Sequence, residues 1–251
     1  MQHPIDPSDL EAIEKEDPDI LKLRDYDAEV ACRVTSTSSL RERIAWEPQA
    51  CVQRIVMILG NHINHIPRVN MPKGAYALAH LTDWSYVSGD ENPLADVYVG
   101  PKGFKNYDHP LRMVFEVQDK RFPHITMIVE HHTKDKAQNN TLRRHELAYI
   151  LKAMEIRFAQ RLFNEHQEQP VLMLSFTVPQ HGRILHAHLL NDTKLVVACS
   201  NLYSFETNEV TPFELFYRWL LENKDKSEKK RKGASRKESG YKKVKKENIR
   251  P

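Results

Sequence analysis

A mixed α/β sandwich in a single domain is the fold this sequence predicts, on three observations. At 251 residues the chain suits one large domain rather than two. Its hydrophobic patterns alternate in the order helix, strands, helix, strands, helix. Its polar excess is confined to the two ends. Residues 1–27 carry a net −6 and residues 223–251 a net +9, so against a whole-chain +3 the intervening 28–222 are neutral and can bury one core.

The acidic extension 1–27 holds three prolines and a DLEAIEKE stretch that could form a short helix after Ser8, but no core pattern. Ser39 is placed to cap a helix that includes Leu40 to Arg43. Pro48 suits the first turn of a longer one, whose face is Cys51, Ile55, Ile58 and Leu59. Tyr76 to Leu81 fits strand or helix, and Ala95 to Val99 reads as a short strand ending at Gly100-Pro101. Leu111 to Gln118 and Ile125 to Glu130 read as a hairpin. A long helix over about 136–163 would bury Leu147, Ile150, Leu151, Met154, Phe158 and Leu162. Strands follow at Val171 to Val178, Arg183 to Leu190 and Lys194 to Cys199, and a helix over Pro212 to Leu221 closes the body. No internal repeat is visible.

The basic tail contains two clusters, Lys229-Lys230-Arg231-Lys232 and Lys242-Lys243-Val244-Lys245-Lys246. They read as a nuclear-import signal or a nucleic-acid-binding arm, against the alternative of a merely solvated tail. No apolar run approaches the ~20 residues that span a bilayer, and the start lacks a signal peptide's apolar stretch. An intracellular, nuclear protein is expected. Cys32, Cys51 and Cys199 are odd in number and without CxxC spacing, so they read as buried thiols in a reducing compartment.

Several chemistries are set aside. The sequence holds no GxxxxGK[ST] loop, GxGxxG turn or GxSxG elbow, so no nucleotide cofactor is expected. Thirteen histidines invite a metal, but His62/His65 and His186/His188 lack HExxH spacing or matching cysteines and read as surface or core histidines. Trp46 and Trp84 read as core aromatics before base-stacking ones.

The strand carboxylates carry more. Asp96 opens ADVYV, and Glu130 ends FPHITMIVE with His132 two residues on, hence on the same side of the strand. Asp96 and Glu130 could hold Mg²⁺ or Mn²⁺ through oxygens. The ion would activate a water and stabilise charge developing on a phosphodiester. Glu116 with Gln118 is the alternative pair. Lys134, Lys136, Arg143 and Arg144 surround the start of the long helix, where phosphate contacts could form, although exposed helix residues look the same in sequence.

With Glu42 and Trp46 in RERIAW, ADVYVGPKGF, FPHITMIVEHH, Gln138-Asn139, VLMLSFTVPQH and ILHAHL in that order, residues from about Arg41 to Asn191 resemble the fungal PD-(D/E)XK nuclease-like domains. The resemblance implies a restriction-endonuclease-like mixed sheet flanked by helices. It also implies Asp96 and Glu130 as metal ligands, His132 where the family has Lys, and Gln138 lining the site from the helix. Ala95 replaces the usual Pro. The His132 replacement is the larger departure, since His is only partly cationic at pH 7. Two functions follow: metal-dependent hydrolysis of nucleic acid, or a catalytically degenerate fold that binds nucleic acid or protein. An α/β interaction protein unrelated to nucleases is the third reading, and it places Asp96 and Glu130 apart.

Overall fold

The computed structural model describes residues 22–64, 73, 75, 77–88, 92–98, 108–133, 138–163, 168–190 and 193–221. The helix expected after Ser8, the basic tail read as an import signal or nucleic-acid-binding arm, His65, Lys134 and Lys136 lie outside the described residues.

The chain opens with α1 (Ala28–Arg33), capped by the Asp27 carboxylate, which accepts from the N–H groups of Glu29 and Val30. The folded body starts earlier than residue 28. Leu23 is buried, Tyr26 N–H donates to the Glu206 carbonyl at 2.8 Å, and Asp25 accepts from Asn208 N–H at 2.7 Å. Ser39 caps α2 (Leu40–Trp46) through a reciprocal box: Glu42 N–H donates to Ser39 Oγ and Ser39 N–H to the Glu42 carboxylate. Pro48 begins α3 (Pro48–Asn64), which buries Cys51, Val52, Ile55, Val56, Leu59 and Ile63. Arg54 lies on the same face, and its guanidinium bonds the Ile44 and Ala45 carbonyls that α2 leaves unpaired near its end. Of the thiols, Cys51 is buried, whereas Cys32 is exposed and Cys199 half-buried.

The strands are β1 (Trp84–Tyr86), β2 (Leu111–Val117), β3 (Ile125–His131), β4 (Val171–Thr177), β5 (His181–Leu190), β6 (Lys194–Cys199) and β7 (Tyr203–Ser204). They form one mixed sheet in the order β1-β2-β3-β4-β5-β6, with β7 beside β5. All neighbours are antiparallel except β3 and β4, which run parallel from Ile125↔Val171 to His131↔Thr177. The crossover between them contains α4 (Arg144–Ala159), and α5 (Phe213–Leu221) closes the described chain.

The sheet's period of two sorts its side chains into two cores. Ile125, Met127 and Val129 of β3, Val171 and Met173 of β4, and Leu185 and Ala187 of β5 pack against Tyr149, Ile150, Ala153 and Met154 of α4. Ile128, Leu172, Leu174, Phe176 and Ile184 pack against α3 and α5. In the second core Phe176, Phe205 and Phe216 meet ring to ring at 5.2–5.8 Å. Gly182 permits this, because a Cβ there would sit 2.8 Å from Phe176. Burying each such aromatic or branched aliphatic side chain contributes roughly 1.5–3 kcal/mol.

Two expected elements are corrected. The described part of the segment read as strand 95–99 belongs to a 3₁₀ turn, Pro93–Val97, started by Asn92, whose side chain accepts from Leu94 N–H. Of the segment read as strand or helix, Leu78–Leu81 is a 3₁₀ helix. In the long helix Leu151, Phe158 and Leu162 are exposed, and the buried stripe is Glu146, Tyr149, Ile150, Ala153, Met154, Ile156 and Arg157. Two charged residues occupy the inner face because each finds a buried partner across the sheet, which an apolar pattern cannot register.

Candidate metal centre

Glu130 and His132 meet as their shared strand side requires: His132 Nε2 lies 2.8 Å from the Glu130 carboxylate, and Arg112 donates to the same oxygen at 2.9 Å. The carboxylate is buried and committed to these two neighbours. It follows Thr126 and Ile128 onto the α3–α5 side of the sheet. Asp96 is exposed on the 3₁₀ turn, whose buried residues Leu94 and Val97 join the α4-side core. The structure does not bring Asp96 to Glu130. A hard cation needs several converging oxygens. One carboxylate already held by a guanidinium and an imidazole does not fit Mg²⁺ or Mn²⁺, and no hydrolytic step is derived through such an ion.

The other predicted residues have different work. Glu116 accepts from Arg157 at 3.0 Å and from Asn92 at 2.7 Å, both near the far end of α4. Arg157 also reaches the Pro123 carbonyl and Gln160, and stacks over Phe163 at 4.7 Å. Gln118 is exposed on a 3₁₀ turn. Gln138 precedes α4 instead of opening it, and it contributes its carbonyl, which accepts from Arg183 at 3.3 Å. Arg143 N–H donates to Glu146, and the Arg143 guanidinium donates to Thr177 Oγ1 at 3.0 Å. Arg144 is exposed. Trp84 packs on the second core, beside an apolar hollow of about 50 Å³ lined by Tyr86, Phe115 and Thr126.

On the α4 side the strand parity brings together residues that spacing did not select. His131 of β3, Ser175 of β4 and Arg183 of β5 point at the first turn of α4 and meet Glu146. Arg183 binds Glu146 with both Nε, at 2.9 Å, and Nη2, and its other nitrogen donates to the Thr141 carbonyl at 2.6 Å. Ser175 Oγ donates to Glu146 Oε1 at 2.5 Å and lies 2.9 Å from His131 Nε2. The hydroxyl has one proton, which goes to the carboxylate, so His131 Nε2–H must be the donor to Ser175. That assigns the His131 tautomer and leaves its Nδ1 as a bare lone pair, 3.2 Å from His109 Nδ1.

His145 completes the group. Its ring stacks on His109 at 3.6 Å between centroids and lies 4.4 Å from His131. Its Nε2 has no hydrogen-bond partner among the described residues. Tyr149 O–H holds the His109 carbonyl at 2.7 Å. One ligand atom from each of the three imidazoles lies within 4.8 Å of the other two, the one such group of three among the described residues, and it could hold a metal.

The environment keeps two of these rings neutral. Burial, reinforced by His145, Arg143, His109 and Arg183, pushes His131 well below the usual histidine range. Burial, then His109, Arg143 and Arg183, pushes His145 down to about 3. Below the ordinary value of 6.5 the unfolded chain binds protons that the folded chain refuses, so stability rises with pH in that window. In chelator-treated protein the melting temperature is expected to be level above pH 7 and to fall from pH 6.5 toward pH 4. His145→Asn should flatten that fall, as read by thermal circular dichroism, and an unchanged slope would contradict the assignment.

Among the described residues no helix is long and apolar enough to cross a membrane. The chain matches no protein-family model, no curated protein and no solved structure.

Proposed function

We propose that this chain is a catalytically degenerate, nuclease-like α/β protein that binds nucleic acid through its phosphates. The observation that carries the loss of catalysis is the closed Glu130 carboxylate, held by Arg112 and His132 on the sheet face opposite the Asp96 turn, a separation that the interaction-protein reading also expects. Support for the nuclease-like ancestry is the order of the resembling segments, a helix with Glu42 and Trp46, the strand carrying Glu130, a helix and two further strands, although the segment at Ala95, expected as a strand, is a 3₁₀ turn. Glu42 itself serves in the α2 capping box. Support for nucleic acid as partner is the net +9 of residues 223–251, set against a neutral body. Such binding is sequence-independent and weakens with salt, because the counterions it releases gain less entropy in a more concentrated solution.

The test uses end-labelled single- and double-stranded DNA and RNA with Mg²⁺ or Mn²⁺, reading both cleavage and anisotropy. Expected are no metal-dependent cleavage, binding that falls steeply between 50 and 200 mM salt, and weaker binding after Lys229→Glu with Lys230→Glu. Cleavage abolished by Glu130→Ala would establish an active nuclease instead. Absence of binding to every nucleic acid would leave a protein-binding module.

A further inference from the structure

From the convergence of His109, His131 and His145 we infer a site for one borderline divalent ion of the Zn²⁺ class, with three imidazole ligands and an anionic fourth ligand. The site is independent of the Glu130 cluster, which lies on the other face of the sheet.

Four observations bear on the metal and its setting. First, imidazole nitrogens suit Zn²⁺, Co²⁺, Ni²⁺ or Cu²⁺ rather than Mg²⁺ or Ca²⁺. Second, tetrahedral Zn–N bonds of 2.0–2.1 Å place ligand nitrogens about 3.3 Å apart. His109 Nδ1 and His131 Nδ1 already stand at 3.2 Å. The remaining separations, all within 4.8 Å, need a closure of at most about 1.5 Å. His145 can supply it, because it is the half-buried member while the other two are buried.

Third, the outer shell is in place. A metal-binding histidine commonly donates its second N–H to a carboxylate or its relay, which fixes the ring and raises its basicity. His131 Nε2–H donates to Ser175, which donates to Glu146, which Arg183 clamps on both oxygens. The chain of bonds aims the His131 Nδ1 lone pair out of the network and toward the other two rings. His145 Nε2, without a hydrogen-bond partner among the described residues, is the ligand atom whose bonding capacity is otherwise unspent. His109 Nδ1 donates to the His131 Nδ1 lone pair at 3.2 Å, so that proton must leave before both nitrogens can ligate one ion.

Fourth, the charge around the site selects the remaining ligand. Glu146 is paired with Arg183, and the Arg143 guanidinium, bonded to the Thr177 hydroxyl, lies close to the rings. Three neutral imidazole ligands leave the charge of a 2+ ion uncancelled, which favours an anion in the open position, hydroxide or an oxyanion, over a neutral water. Three protein nitrogens plus one exchangeable anion is the coordination of a reactive site, not of a closed structural one.

The test is metal binding to the chelator-stripped full chain, titrated with Zn²⁺ by calorimetry and with Co²⁺ by visible absorption. One ion per chain is expected, with tetrahedral Co²⁺ absorption and a raised melting temperature. His145→Ala, which removes a half-buried ring and should leave the metal-free melting temperature nearly unchanged, is expected to weaken Zn²⁺ binding by about a hundredfold or more. Ser175→Ala should weaken it about 10–100-fold through the relay. His186→Ala with His188→Ala removes the other histidine pair, whose rings lie 5.8 Å apart on β5, and should leave affinity unchanged. No stoichiometric binding, binding untouched by His145→Ala, or binding lost only with His186 and His188 would each overturn the site.

Discussion

Replacing Arg183 with methionine is expected to remove on the order of 3–5 kcal/mol of folding free energy. Arg183 is 1% exposed and Glu146 fully buried, and the pair carries the serine and both arginine nitrogens that satisfy the carboxylate. Taking the guanidinium away strands an ionised carboxylate in the core and orphans the Thr141 and Gln138 carbonyls. With domains stable by only about 5–15 kcal/mol, that is a large share of the total. Urea unfolding would show it as a lower midpoint at unchanged slope. The double variant Arg183→Met with Glu146→Leu removes both charges and should regain most of the loss. A single-variant cost below about 1 kcal/mol would mean that water reaches the pair, since that is the range of exposed ion pairs.

Glu116→Ala is expected to cost on the order of 3 kcal/mol in folding and nothing in any nucleic-acid activity. The residue looks like a site carboxylate in sequence, but in the fold it is the counter-ion of Arg157, a side chain 1% exposed and fixed by Pro123, Gln160 and Phe163. Its loss leaves Arg157 charged inside the sheet–helix interface and frees Asn92, which starts the 3₁₀ turn bearing Asp96. Chemical denaturation alongside nucleic-acid binding separates the two effects. A stable variant with altered cleavage or binding would return Glu116 to the site.

What could be read from the sequence was whatever depends on local spacing. The Ser39 cap, Pro48 at the head of α3, the β2–β3 hairpin and the strands β4 to β6 all follow from short-range patterns. The strand expected at Asp96 is a turn because Asn92-Pro93 starts a 3₁₀ helix there, while Val97 and Val99 by themselves favour a strand. The inner face of α4 departs from its apolar pattern because Glu146 and Arg157 are buried by partners 37 and 41 residues away, beyond the reach of any window. The histidine group is illegible for the same reason. Its members come from a loop, a strand and a helix start. The one local signal for it is His131 itself, a titratable ring at the end of the apolar run ITMIV, on the parity opposite to Glu130.

The single parallel pairing in the sheet has a consequence for how the molecule comes into being. On either side of it lie hairpins, β2–β3 and β4–β5, whose partners are near neighbours in the chain. Joining them requires closing the long crossover that carries α4, a slow step whose entropic cost falls due before most of its contacts are made. The histidines, Ser175, Arg183 and Glu146 straddle that seam, with members on both hairpins and on the crossover between them. Neither hairpin alone contains the group. It comes into existence at the moment the two halves dock, so whatever occupies it acts as a latch on the last join of the fold.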